Sequence, residues 1–231
     1  MDLEAIWKRA RADLLIPNRR GDPDLFLWEH SFRVARTAQY LLHLPEVRKR
    51  APDDCAVLAA ALYHNAGWVS RYRGADADRL ELLLGSLSEG DDEEGAHLME
   101  RSLSGLLPAG SLQLAAHVTR AVRDRATDLV EAHVVSDANN LQEFGVLYLW
   151  PAIRRGLLDG KGVQALLDTW RRKKEYRFWE ARLTDSFRFQ ASREIARSRL
   201  EKIERLLAEL EEQHNASDVA AIARVPHAAS R

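Results

Sequence analysis

The stretch from Pro52 to Asn65 constrains the fold more than any other part of the chain. Pro52-Asp53-Asp54 reads as a helix start, with a proline and acidic residues in the first turn. The next turns are apolar nearly all round: Ala56, Val57, Leu58, Ala59, Ala60, Ala61, Leu62 and Tyr63. A helix with no polar face belongs in the middle of a core, enclosed by other elements. It runs out on His64-Asn65, so two polar side chains are delivered into that core. Gly67 suits its C-terminal cap.

The rest of the chain offers helices to surround it. Leucine and alanine far outnumber valine, isoleucine and threonine, which favours helix over sheet. Periodicity and breakers predict helices over Leu3–Leu15, Asp24–Leu44, Cys55–Asn65, Asp76–Leu87, Glu93–Leu106, Ser111–Arg125 and Asp128–Phe144. Gly145–Leu158 continues the last or forms a short helix of its own. A long charged helix over Val163–Leu183 and another over Ser186–Gln213 come next, with residues 215–231 as a flexible tail. The expectation is an all-α bundle. An N-terminal helix and turn (1–25) precede a helical domain (26–158), and C-terminal helices (159–214) pack back on it.

Composition excludes several classes. The 231 residues are 46% hydrophobic and 30% charged, with a net charge of -1 and one cysteine. One thiol cannot build an internal disulfide framework. A near-neutral balance carries no argument for nucleic acid. The run Arg171-Arg-Lys-Lys174 is answered by Glu175 and Glu180 and reads as a solvated face. No apolar run approaches a membrane span, and Met1-Asp-Leu-Glu-Ala lacks the pattern of a signal peptide, so a cytoplasmic protein is expected. The apolar stripe of the last long helix, Ile195, Ile203, Leu206, Leu207 and Leu210, suits packing on the same chain, with a homodimer second.

Three polar residues interrupt apolar stripes. His30 lies one turn before Val34 and two before Ala38. His64 closes the apolar helix. Asp137 falls between Val134 and Leu141 on its own stripe. A buried carboxylate is costly unless it is paired or binds a metal. Two inward imidazoles and one inward carboxylate would suit a divalent ion. Hydrogen-bonded core histidines with Asp137 paired to an arginine satisfy the same pattern.

Trp28-Glu-His30-Ser-Phe-Arg33-Val34-Ala35 resembles the first motif of the HD-domain phosphohydrolases. Ala59-Ala-Ala-Leu62-Tyr63-His64-Asn65-Ala66-Gly67 resembles their His-Asp motif, and Val134-Val-Ser-Asp137-Ala-Asn139-Asn140-Leu141 their last motif. The three occur in the family's order, over about Phe26 to Leu158. The resemblance implies a helical bundle with a central divalent metal that polarises a phosphate ester or nucleotide and activates water. Carried over, the ligands are His30, His64 and Asp137, with Asn65 as a neutral ligand or an orienter of water. Magnesium, manganese, zinc, iron, cobalt and nickel all remain open. His97 and His117 stand where two-metal members have further histidines, and a two-iron oxygen chemistry would require them. His133, one turn before Asp137, is placed to orient it. Arg33, Arg71 and Arg73 are the phosphate-binding candidates. The sequence departs from the family at Asn65 and Asn139, both neutral where the family has aspartate. That opens the alternative of an HD-fold protein, catalytically weak or inactive, that binds a ligand or partner.

Overall fold

The computed structural model describes residues 2–17, 21–72, 81–85 and 87–223. Helices α1 (Leu3–Leu14), α2 (Phe26–Leu41), α3 (Pro45–Arg48), α4 (Asp54–Tyr63), α5 (Gly67–Tyr72), α6 (Glu89–Leu103), α7 (Ala109–Ala121) and α8 (Val130–Asn140) form the first bundle. After two 3-10 turns at Leu141–Glu143 and Val146–Tyr148 come α9 (Leu149–Leu158), α10 (Val163–Glu175), α11 (Phe178–Asp185), α12 (Gln190–His214) and α13 (Ser217–Ala223). The only strands among the described residues are the two-residue pair Ile16–Pro17 (β1) and Pro23–Asp24 (β2). The molecule is all-α.

Helix α4 is the axle. Every residue from Ala56 to Tyr63 is buried, enclosed by α2, α7 and α8, with α1 and α6 beyond. Its start is fixed from three directions. The Asp53 carboxylate accepts from the amides of Cys55 and Ala56 at 2.9 and 3.0 Å and from the Ser111 hydroxyl of α7 at 2.7 Å. The Asp53 amide donates to Glu131 of α8 at 2.9 Å. Near the other end, the Tyr63 hydroxyl donates to Asp13 of α1 at 2.6 Å.

Several elements differ from their sequence-based expectation. Gly67 is not a left-handed cap but the first residue of α5. A Cβ there would lie 2.2 Å from the backbone oxygen of Asp91, so glycine serves a close crossing of α5 over α6. The predicted helix over Val163–Leu183 breaks at Arg177, which takes a left-handed conformation (φ 53°) between α10 and α11. That over Asp128–Phe144 stops at Asn140. The predicted helix over Asp76–Leu87 falls partly outside the described residues. Of the predicted tail, Ser217–Ala223 is helical and the residues beyond lie outside the described range.

The C-terminal helices are fastened to the end of α8. Arg199 donates to the Leu141 carbonyl at 2.7 Å and Asn140 to the Ser186 carbonyl at 2.8 Å. Gly145 (φ 86°) runs so close to α12 that a Cβ would lie 2.9 Å from the Arg199 Cβ. Phe144, Phe187, Trp170 and Trp179 fill the space between.

Candidate functional site

Helices α2, α4 and α8 bring His30, His64 and Asn139 to one point. His30 sits in the second turn of α2, and its ring centroid is 5.5 Å from that of His64. His64 caps α4, and its Nδ1 donates to the Ala61 carbonyl at 2.8 Å. A carbonyl only accepts, so the proton of the neutral ring is on Nδ1 and the Nε2 lone pair faces the centre. Asn139 Oδ1 lies 3.1 Å from His30 Nε2 and 3.3 Å from His64 Nε2. The Asn65 amide nitrogen donates to His64 Nε2 at 3.0 Å. Its oxygen accepts from Arg123 at 3.3 Å, and Arg123 is itself paired with Asp92 at 2.5 Å.

Both imidazoles are held uncharged. Burial, then the His64 ring and the Arg33 charge, push His30 down to about 3. Burial, with Arg123 adding to it, pushes His64 down to about 4. Arg33 thus supplies positive charge beside His30 and Arg123 beside His64.

Asp137 corrects the expectation of a third ligand. Its carboxylate accepts from the amides of Arg188 and Phe189 at 2.8 and 3.1 Å, at the N-terminal entry to α12. It is fully buried. Positions 137 and 139 of a helix point about 200° apart, so when Asn139 faces the histidines Asp137 faces α12. Burial raises its pKa to about 6, with the Arg188 and Phe189 amides pulling the other way.

The remaining candidates are dispersed. His97 is exposed and pairs with Glu93 at 2.9 Å on the surface of α6. His117 is exposed on α7. His133 does not orient Asp137; it donates to the Thr127 carbonyl at 2.8 Å and tethers the turn before α8. Arg33 lies on α2 and faces Glu29 at 3.9 Å. Arg71 is taken up by Asp91 and the Trp68 ring. Arg73 lies outside the described residues.

A cavity of about 140 Å³ opens beside Asn139, between the α7–α8 turn, α8 and the α11–α12 junction. Arg123, Arg125, Arg182 and Arg188 line it, against Asp124 and Asp185. Arg182 is paired with Glu143 at 2.6 Å. Arg188 donates to the Arg125 carbonyl at 2.6 Å, and Arg125 has no ion pair among the described residues. Neither Arg125 nor Arg188 forms a close ion pair among the described residues, although the Asp137 carboxylate lies near enough to feel the Arg188 charge. Sequence reasoning missed all four arginines. They are scattered between positions 123 and 188 with no local pattern, and only the fold gathers them.

The resident metal that the HD resemblance implies does not fit this donor set well. Asn139 Oδ1 lies within 3.3 Å of both imidazole Nε2 atoms, a spacing that suits neighbouring ligands of one ion. But among the described residues no three His, Cys, Asp or Glu side chains cluster as a metal site. A hard dication would meet no carboxylate and would face Arg123 instead.

The two neutral imidazoles make stability depend on pH. In the unfolded chain His30 and His64 take up protons near pH 6.5, whereas in the folded protein they resist until about 3 and 4. Their contribution is present above pH 6.5 and is lost on acidification, by about 1.4 kcal/mol per pH unit per histidine. Asp137 acts oppositely, since the folded state protonates it near 6 and the unfolded state near 3.8. The expected net loss between pH 6 and 4 is about 1.4 kcal/mol per unit. Denaturant unfolding across that range checks it. His30→Gln should lower the slope by about one proton, and an unchanged slope would contradict the buried neutral ring.

No protein-family model matches the chain, and no curated protein matches it in sequence. Its structure is similar to that of Bacillus subtilis YpgQ, an HD-domain protein, with a TM-score of 0.56 and 20% identity over 91% of this chain and 94% of that one. It is also similar to Bacillus subtilis YpgQ in complex with ADP, with a TM-score of 0.55 and 20% identity over 91% and 93% of the two chains. The chain has an HD-like fold.

Proposed function

We propose that this HD-like chain binds a phosphate-bearing small molecule, such as a nucleotide, without a resident metal, and that it hydrolyses its ligand slowly or not at all. The observation that carries this reading is the arginine-lined cavity opening beside Asn139. Guanidinium groups suit phosphate oxygens in paired hydrogen bonds. About 140 Å³ is small against the roughly 300–1,000 Å³ of sites that enclose a whole small molecule. The cavity therefore takes the phosphoryl end, leaving the rest of the ligand outside it. That YpgQ was crystallised with ADP supports testing a nucleoside diphosphate first. The neutral centre supplies direction rather than charge. His30 Nε2–H donates to Asn139 Oδ1, His64 Nε2 accepts from Asn65, and Asn65 is pinned by Arg123.

A second reading, metal-dependent phosphoester hydrolysis, is favoured by the approach of Asn139 Oδ1 to both His30 Nε2 and His64 Nε2. A zinc-like ion would be the least ill-matched to two imidazoles. The two are separated by calorimetric titration with ADP, pyrophosphate, phosphate and adenosine, in EDTA and then with Mn²⁺ or Zn²⁺, while phosphate release is followed. The expected result is binding of ADP and pyrophosphate in EDTA, with adenosine failing to bind. Arg125→Glu should weaken that binding at least about tenfold. Binding and turnover only with added metal would replace the first reading by the second.

A further inference from the structure

We infer that the C-terminal helices carry a second, separate ligand site, for an amphipathic anion with a long apolar body such as a free fatty carboxylate. The observation is a concave cavity of about 550 Å³ formed by α9, α10 and α12. Its size falls within the roughly 300–1,000 Å³ of small-molecule sites, and a mostly apolar wall with a few charged groups is their usual composition.

Three features point to the occupant. The wall is aliphatic, with Ile153, Leu157, Val163, Leu166 and Leu210 prominent. Leu157 and Ile153 remain 64% and 44% exposed, so this surface is left uncovered among the described residues. An unpaired charge adjoins this wall. A second cavity of about 390 Å³ shares Lys161, Ala165 and Thr169 with the first and adds Arg172 and Asp168. Asp168 is bonded to Arg171 at 2.6 Å, and Asp159 to Lys161 at 2.8 Å. Arg172 reaches only the Thr169 hydroxyl, at 3.3 Å, and has no carboxylate partner among the described residues. Arg155, on the wall of the larger cavity, donates to the Leu84 carbonyl rather than to an acid. An apolar trough adjoining an unpaired guanidinium complements a molecule with one negative end and a hydrocarbon body. A neutral hydrocarbon would leave Arg172 unused, and a cation would find Asp159 and Asp168 already paired. This site shares no lining residue with the arginine cavity beside Asn139, so it stands or falls independently of the proposed function.

The test uses the full chain and dodecanoate below its micellar concentration, read by displacement of an environment-sensitive fluorophore. Dodecanol and dodecyltrimethylammonium are the controls. Dodecanoate should displace the probe and the cation should not. Ala165→Phe, which fills the shared wall, should abolish displacement. Arg172→Gln, at an exposed position that folding does not need, should weaken dodecanoate about two- to fivefold and leave dodecanol unchanged, the scale of one exposed ion pair. Equal binding of all three amphiphiles, or none by dodecanoate, overturns the proposal. A concentration-dependent dimer that Leu157→Asp dissociates would also overturn it, because a second copy would then cover the trough. Binding to anionic vesicles without binding of free dodecanoate would assign the surface to a membrane instead.

Discussion

Asn139→Asp is expected to give the chain an affinity for Mn²⁺ or Zn²⁺ on the order of a hundredfold above the native protein's. Adding a full charge about 4 Å from a dication at an effective dielectric near 20 is worth several kcal/mol before desolvation is subtracted. Asn139 is the position for it, because its oxygen already lies 3.1 and 3.3 Å from the two imidazole nitrogens. Asn65→Asp should do much less. The Asn65 oxygen accepts from Arg123, so a carboxylate there would pair with that guanidinium instead of an ion. Without metal, the new carboxylate should raise the pKa of both imidazoles, His30 from about 3 and His64 from about 4. Titration calorimetry and metal-dependent melting of the two variants and the native chain check this, with imidazole resonances followed against pH. Equal metal affinity in the native protein would show that the neutral donors suffice, and would favour hydrolysis.

Gly67→Ala is expected to cost about 3 kcal/mol or more and to disturb the site from behind. The added Cβ would meet backbone, not a flexible side chain: the Asp91 carbonyl oxygen at 2.2 Å and its carbon at 2.7 Å. Relief would require α5 and α6 to separate. The Gly95 Cβ position is itself 3.2 Å from the Gly67 nitrogen, so the crossing has no slack. Separation would strain the ion pairs that lash α6 to its neighbours, Arg71 to Asp91, Arg123 to Asp92 and Arg120 to Glu93. Arg123 would then lose its hold on Asn65. Denaturant melts of Gly67→Ala and Gly90→Ala provide the comparison, since a Cβ at Gly90 would meet nothing closer than 3.9 Å. Similar stabilities for the two would contradict the tight crossing.

The helices and the convergence of His30 and His64 could be read from the sequence because both rest on local periodicity. An apolar helix such as Ala56–Tyr63 has one place to go, and a polar residue at its end goes with it. Asp137 shows where periodicity stops. Asp137 does lie on a buried stripe, as its spacing with Val134 and Leu141 indicates. But a helix in the middle of a bundle has more than one buried side, and spacing does not say which side faces the histidines. Asp137 faces a backbone segment 51 residues further on. The break at Arg177 was equally hidden. Arg-Lys-Lys-Glu-Tyr-Arg carries no proline or glycine, and the left-handed turn goes with the packing of Trp170 against Trp179 across it, with ring centroids 5.0 Å apart. The arginine cavity is a property of tertiary assembly, with no trace in neighbouring residues.

The bond from Asp137 to the amides of Arg188 and Phe189 also sets an order of assembly. A chain made from its N-terminus exposes α2, α4 and α8 well before residue 189 exists. Until then the Asp137 carboxylate has no amide partners and can be buried only at the cost of an unmet charge. Helix α8 is therefore expected to settle in its final rotation, with Asn139 between the imidazoles, only once residues 188 and 189 have arrived. An arrested chain ending before Ser186 should hold α4 against α2 and α7, with the His30 and His64 rings still accessible to protons near pH 6.5. Completion of the centre then becomes a late, long-range event, timed by the synthesis of a segment that contributes neither imidazole nor amide to it.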